Sequence, residues 1–325
     1  MTPVGDCQTG AHRLTSSSLH PASDLAAPPV VSVVLPTYNG SRYLAESIQS
    51  VIAQTFQDWE LIIVDDCSTD ETPQIIERFV QQDPRIRGIR HETNRKLPAA
   101  LNTGFAAARG DFFTWTSDDN LFRPLAFGEM VAALGQDSTL DVVYCDYAFS
   151  DSNGRMTGAR RVGLPRALVY GNVVGACFLC RRNVHETLDG YDESLFLAED
   201  YDFWLRCAAS FAMRPLHKDL YVYRWHDQSL TEKRHAEISR ASYVALHRSL
   251  ARLPGLGRYL RAQGHLQLAR WAVVSGEAGA ARRHLLCAFW RAPRSTWRNE
   301  RKLIFGLCGG RNPGRLSDIE RSSDG

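Results

Sequence analysis

Val30-Val-Ser-Val-Val-Leu35 is an almost unbroken run of β-branched residues closed by Pro36, the pattern of a strand covered on both faces in a parallel sheet. Past the turn Thr37-Tyr-Asn-Gly40, apolar Leu44, Ile48, Val51 and Ile52 return at helical spacing behind Ser41, which reads as the N-cap. Glu60–Val64 repeats the strand pattern. A second helix follows Thr69-Asp70, with Pro73 in its first turn and Ile75, Ile76, Phe79 and Val80 on one face. Ile86–Ile89, Leu97–Ala108 and Asp111–Thr116 continue as strand, helix and strand. Strands alternating with helices at this spacing predict an α/β fold on a doubly wound, mostly parallel sheet flanked by helices.

After residue 120 the order changes. The patterns predict a helix near Pro124–Leu134, a strand at Val142–Ala148, a tight turn at Asn153-Gly154 and a strand at Val173–Cys180. A helix at Glu199–Ala209 and a strand at Leu220–Trp225 follow. From Glu232 the pattern is helical, broken at Pro254-Gly255, Gly276 and Pro293, and Ala269–Ala292 reads as a helix hairpin. The expected organisation is a disordered Ser-, Thr-, Pro- and Ala-rich leader over 1–29, a main domain over 30–230 divided near 120, and a helical C-terminal extension over 231–325.

At 325 residues, with 44% hydrophobic and 23% charged residues, the chain has the composition of a globular protein able to bury a large core. Its net charge of +2 conceals a division. Residues 241–325 carry 15 Lys and Arg against 5 Asp and Glu, a net +10 that leaves −8 for residues 1–240. No stretch approaches the ~18 apolar residues of a membrane span, and the N-terminus lacks a signal-peptide pattern. Eight cysteines without framework spacing read as reduced thiols, so a cytoplasmic setting is expected. Cys177-Phe-Leu-Cys180 reads as buried thiols in a strand rather than a metal or redox pair.

Ligands of open parallel sheets sit beyond the carboxyl ends of the strands. There this sequence delivers Pro36-Thr-Tyr-Asn39, Asp65-Asp-Cys-Ser-Thr-Asp70 and Thr116-Ser-Asp-Asp-Asn120. Neither GxGxxG nor GxxxxGK[ST] is present, which removes dinucleotide and P-loop readings. Adjacent Asp118 and Asp119 are hard oxygen ligands suited to Mg²⁺ or Mn²⁺ holding a diphosphate, and Asp66 can hydrogen-bond a base or ribose; a turn or a helix cap is the competing role. Glu199-Asp-Tyr-Asp-Phe-Trp204 either answers a helix dipole or presents a general base walled by Trp204. Arg224 and His226, near a strand end, are candidates for phosphate and metal respectively.

Taken in order, Val31-Ser-Val-Val-Leu-Pro-Thr-Tyr-Asn-Gly40, Val64-Asp-Asp-Cys-Ser-Thr-Asp70, Ser117-Asp-Asp-Asn120, Glu199-Asp-Tyr-Asp-Phe-Trp204 and Tyr223-Arg-Trp-His226 resemble the inverting family 2 glycosyltransferases over residues 30–230. The resemblance implies a GT-A fold with a nucleotide-binding half, 30–120, and an acceptor half, 121–230. It implies that Pro36, Thr37, Tyr38 and Asp66 meet the donor nucleoside, that Asp118 and Asp119 serve metal and diphosphate, and that Asp200 is the catalytic base beside Glu199. Thr116 stands where many members carry the first acid of Asp-x-Asp-Asp, and the resulting Asp-Asp-Asn is similar to that of the bacterial spore-coat subgroup. The implied activity is metal-dependent sugar transfer from a nucleotide-diphosphate donor, with UDP expected, to a glycan or lipid-linked glycan hydroxyl.

A nucleotide-sugar hydrolase or nucleotidyltransferase and a non-catalytic nucleotide-sugar-binding or scaffold protein are the alternatives. The basic extension lies outside the resemblance and carries no recognised chemistry. Its Arg and Trp content suggests peripheral contact with an anionic membrane at its inner face, or basic helices packed on the main domain. No nucleic-acid module is recognisable, and no nucleic-acid partner is expected.

Overall fold

The computed structural model describes residues 27–227 and 234–298; the leader over 1–26, the expected helical start at Glu232 and the tail from 299 lie outside the described residues. Strands β1 (Val31–Thr37), β2 (Trp59–Asp65), β3 (Ile86–Arg90) and β4 (Phe112–Trp115) pair in parallel in the order β3-β2-β1-β4. Every residue of β1 and β2 is buried, as an unbroken apolar run requires. The polar exceptions satisfy one another. Glu60 accepts from Ser32 Oγ at 2.7 Å and from the Arg109 amide at 2.7 Å, and pairs with Arg87 at 2.9 Å.

Beyond β4 the sheet continues through β8 (Phe178–Arg181), β6 (Val142–Ser150) and β9 (Met213–Arg224) to β5 (Leu121–Phe122), with β7 (Met156–Arg160) hung on β6. β6 and β9 run parallel to each other, whereas β8, β5 and β7 are antiparallel to their neighbours. The expected α/β architecture is therefore present as a mixed, mostly parallel sheet with flanking helices: α1 (Leu44–Ile52), α2 (Thr72–Gln82), α3 (Leu97–Ala106), α4 (Ala126–Gln136), α5 (Arg182–Thr187) and α6 (Glu199–Ser210). α3 packs on β1 and β2, and α4 on β6, β8 and β9.

Several local expectations are corrected. Ser41 is not the N-cap of α1: a turn intervenes, Tyr43 occupies that position without a side-chain cap, and the Ser41 amide donates to Asp70. The strand expected at Val173–Cys180 shrinks to β8, because Gly171 and Gly175 take φ of +147° and +75° and the Asn172 side chain accepts from the Val174 and Gly175 amides. β9 starts seven residues before Leu220, and its pairing with β6 shifts register around Asp146. β5, β7 and α5 had no expected counterpart; two residues, an exposed edge and a six-residue helix carry little periodic signal. Cys177 and Cys180 are buried free thiols as expected, although only Cys180 lies in the strand.

The C-terminal region forms α7 (His235–Ser249), α8 (Arg258–Val274) and α9 (Ala278–Arg291). The expected hairpin is present as α8 and α9, reversed at Gly276, whose φ of +77° suits glycine. α7 packs on α6 and α8, and α8 also packs on the 3₁₀ turn Pro165–Tyr170. These helices join the main domain rather than trailing from it. Among the described residues no helix is long and apolar enough to cross a membrane.

Candidate functional site

The carboxyl ends of β1, β2 and β4 open into a cavity of about 880 Å³ that runs on to α6, α7 and α8. Thr37, the last residue of β1, donates through Oγ1 to Asp118 Oδ2 at 2.6 Å, tying two strand ends together. Gly40 sits against this pair, and a Cβ there would collide with Asp118 Oδ2. Burial first, and the Asp119 carboxylate second, push Asp118 up to about 7 despite the bond from Thr37. Asp119 meets His226 Nε2 at 3.0 Å through Oδ2, while its Oδ1 is buried with no hydrogen-bond partner. Tyr38, half exposed, and Pro36 line the same end.

Asp66 is 4% exposed and heavily committed. Its carboxylate meets His91 Nδ1 at 2.7 Å and accepts from the amides of Arg95 and Lys96, each at 2.8 Å. Lys96 is held at φ +74°, ψ +167°, a region that only glycine enters without cost. Asn39 and Leu197 also line the cavity with positive φ, at +55° and +79°. Three of the five non-glycine residues with positive φ among the described residues thus line this cavity, where surrounding bonds hold them in place.

The far end is built around the N-terminus of α6. Asp200 Oδ2 accepts from Asn172 Nδ2 at 2.8 Å and Oδ1 from the Tyr201 amide at 2.6 Å, leaving lone pairs for a third donor. Burial raises its pKa against those two bonds. Glu199, 6% exposed, accepts from the Leu197 amide and is pushed up to about 8, first by burial and then by Asp200. Tyr147 and Arg160 reach this end from β6 and β7, with Gly175 close under the Tyr147 ring. The C-terminal helices contribute Ile238, Ser242 and Trp271, and Arg234 precedes α7 at the rim; Trp271 packs edge-on to Tyr201 at 6.0 Å. The extension therefore supplies cavity wall as helices packed on the main domain.

Of the residues singled out in the sequence, Pro36, Thr37, Tyr38, Asp66, Asp118, Asp119, Glu199, Asp200 and His226 meet at this cavity. Trp204 and Arg224 do not. Trp204 is 1% exposed and packed against Phe178 and Phe203, so it backs α6 rather than walling the cavity. Arg224 is buried with its guanidinium 4.2 Å from the Tyr43 ring centre and paired with Glu46 at 2.5 Å. Thr116 also turns inward, bonding Tyr221 Oη at 2.7 Å, so an acid at that position would face the core. Asn172, Tyr147, Arg160, Ser242 and Trp271 escaped sequence reasoning; each lies in a loop, strand or helix whose pattern signals packing alone.

Among the described residues no group of three or more His, Cys, Asp or Glu side chains is assembled as a ligand set. The donor chemistry nevertheless fits a hard divalent cation. Two adjacent carboxylates face the cavity, and one oxygen, Asp119 Oδ1, is buried without a donor. A cation completed by ligands from a bound diphosphate suits such a partial set.

Residues 32–195 match the model of Glycosyl transferase family 2, and the chain belongs to that family. It is 34% identical over 185 residues to the putative glycosyltransferase EpsE of Bacillus subtilis, covering 55% of this chain and 66% of that protein. It is 30% identical over 220 residues to the uncharacterized glycosyltransferase EpsJ of the same organism, covering 63% of each. The chain spans between about a quarter and two thirds of the length of the curated relatives it matches. Among solved structures, S. aureus TarS 1-349 in complex with UDP-GlcNAc superposes with a TM-score of 0.58 at 19% identity, 82% of each chain being covered. The mannosyltransferase PcManGT from Pyrobaculum calidifontis, in complex with GDP-Man and Mn²⁺, gives 0.52 at 19% identity, covering 94% of this chain and 83% of that one. The fold shared with these neighbours is the GT-A arrangement of family 2 glycosyltransferases.

Proposed function

We propose that this glycosyltransferase is an inverting enzyme that moves a sugar from a nucleoside-diphosphate donor, a UDP-sugar in our reading, to a hydroxyl of a growing polysaccharide or lipid-linked glycan. The observation that carries the proposal is that one cavity holds both the Asp118–Asp119 pair and Asp200. In this reading residues 30–120 bind the donor, residues 121–230 face the acceptor, and Ile238, Ser242 and Trp271 of the C-terminal helices complete the acceptor wall. The Asp-Asp-Asn of residues 118–120 groups the chain with enzymes similar to the spore-coat subgroup. The inward-facing Thr116 supports full activity without a first acid, because that position is not part of the cavity lining.

Donor and acceptor must meet in line, and the cavity supplies the positioning. Tyr38 and Asp66 would hold the nucleoside, Asp66 through the loop amides it already orders. Charge grows on the diphosphate as the bond to the anomeric carbon breaks, and a bound Mn²⁺ or Mg²⁺ neutralises charge of that kind. Asp118 and Asp119, with His226 against Asp119, would hold that cation. The acceptor oxygen forms the new glycosidic bond from the opposite face, and its proton passes to the Asp200 carboxylate. A raised pKa brings this base nearer to the working pH. Absence of a crossing helix among the described residues fits a peripheral enzyme, and we infer a cytoplasmic reaction at the inner face of a membrane carrying the acceptor.

Asp200→Asn tests the assignment. Transfer should fall by about 10²–10⁴-fold while donor affinity stays unchanged. Turnover at the wild-type rate contradicts it.

A further inference from the structure

The geometry points to a second working surface: we propose that the outer face of α9, with residues 292–298 beyond it, docks on an anionic lipid bilayer. This deepens the peripheral-membrane part of the reading above and names the element responsible. α9 packs on α8 through Ala280, Ala281, His284, Leu285 and Ala288, which are buried. Its other side is not uniformly polar, as a solvent-facing helix would be. Leu286 is 61% exposed, Phe289 44% and Trp290 77%, and Trp297 beyond the helix end is 49% exposed. Leu286, Phe289 and Trp290 stand at i, i+3 and i+4, so they form one exposed stripe on α9.

Charge identifies the occupant. From Ala278 to Arg298 the chain carries five arginines and no Asp or Glu. Arg283, Arg291 and Arg294 are exposed around the stripe. Apolar and aromatic side chains bordered by arginine on one helix face are the composition of an interfacial helix: rings enter the headgroup boundary and guanidinium groups meet lipid phosphates. A second copy of this chain fits poorly. A two-fold contact through the same face would set these arginines against their own images with no acid between them.

The test is co-sedimentation of the full-length protein with phosphatidylcholine vesicles and with vesicles doped with phosphatidylglycerol, at low and high salt. Binding should require phosphatidylglycerol and weaken with salt. Phe289→Ala/Trp290→Ala and Arg283→Gln/Arg294→Gln should each lower vesicle affinity about tenfold or more. Both pairs lie on the surface, and unchanged nucleotide-sugar binding by each variant shows that the fold is intact. Equal binding to both vesicle types, no binding, or indifference to both variants overturns the proposal. So does a wild-type dimer that Phe289→Ala/Trp290→Ala disperses, which would make the occupant a second copy. The two readings fail separately: wild-type protein that binds vesicles but transfers no sugar strikes the catalytic reading, and wild-type protein that transfers sugar but does not bind vesicles strikes this one.

Discussion

The two ends of the cavity are built in opposite ways. At the proposed donor end, Pro36 and Thr37 close β1, Tyr38 and Asp66 follow β1 and β2 directly, Asp118 and Asp119 lie just past β4, and neighbouring strands bring them together. At the proposed acceptor end, Asp200 is held by Asn172 from an irregular loop, faced by Tyr147 and Arg160 from the antiparallel β6–β7 pair, and closed by Ser242 and Trp271 from helices beyond the sheet. A site made of strand ends is rigid and common to the architecture. A site made of loops and appended helices can change while the sheet stays the same.

This contrast sets the expected effects of substitution. The largest effect on binding belongs to the donor end. Asp119→Ala should weaken metal-dependent nucleotide-sugar binding on the order of 10–100-fold, measured by titration with Mn²⁺ present, because it removes the carboxylate that carries an unpartnered buried oxygen. An unchanged isotherm would place the cation elsewhere. A smaller and opposite signature belongs to the acceptor end. Trp271→Ala removes an aromatic wall worth about 0.5–1.5 kcal/mol, so acceptor KM should rise about 2–10-fold while donor affinity holds. If donor affinity falls instead, the division between the ends is wrong.

A further effect concerns stability. Glu199, raised to about 8 by burial and by Asp200, keeps its proton when folded at pH values where an unfolded carboxyl, near 4.5, has released it. The folded state therefore binds the extra proton, and stability is greatest below the unfolded value and falls as pH rises toward 8. Glu199→Gln should flatten the decline of Tm across that window. A slope identical to wild type would show that the Glu199–Asp200 pair does not titrate in this way.

The same contrast explains what the residue pattern could reveal. β1, β2 and their following turns were legible because a strand buried on both faces must be continuously apolar, and its end must be polar where it leaves the core. Asp118 and Asp119 announced themselves for that reason. Asp200 was legible because three acids open α6. Asn172 was not, since an amide in a glycine-broken loop has no periodic context, and its partner lies 28 residues away. Trp204 and Arg224 show the converse. Their chemistry suited the site, but α6 turns Trp204 toward Phe178, and Glu46, 178 residues away in sequence, captures Arg224. The C-terminal helices looked separate because their charge differs from that of residues 1–240, whereas Ile238 and Trp271 place them in the wall.

One side-by-side titration tests the central claim, that a single cavity divides donor binding from proton abstraction. UDP-sugar and GDP-sugar donors would be titrated with Mn²⁺ into wild type, Asp119→Ala and Asp200→Asn, with transfer measured on the same samples. The account predicts that Asp200→Asn binds the preferred donor like wild type yet does not transfer, and that Asp119→Ala loses the binding itself. Equal loss of binding in both variants, or normal transfer by Asp200→Asn, would contradict it.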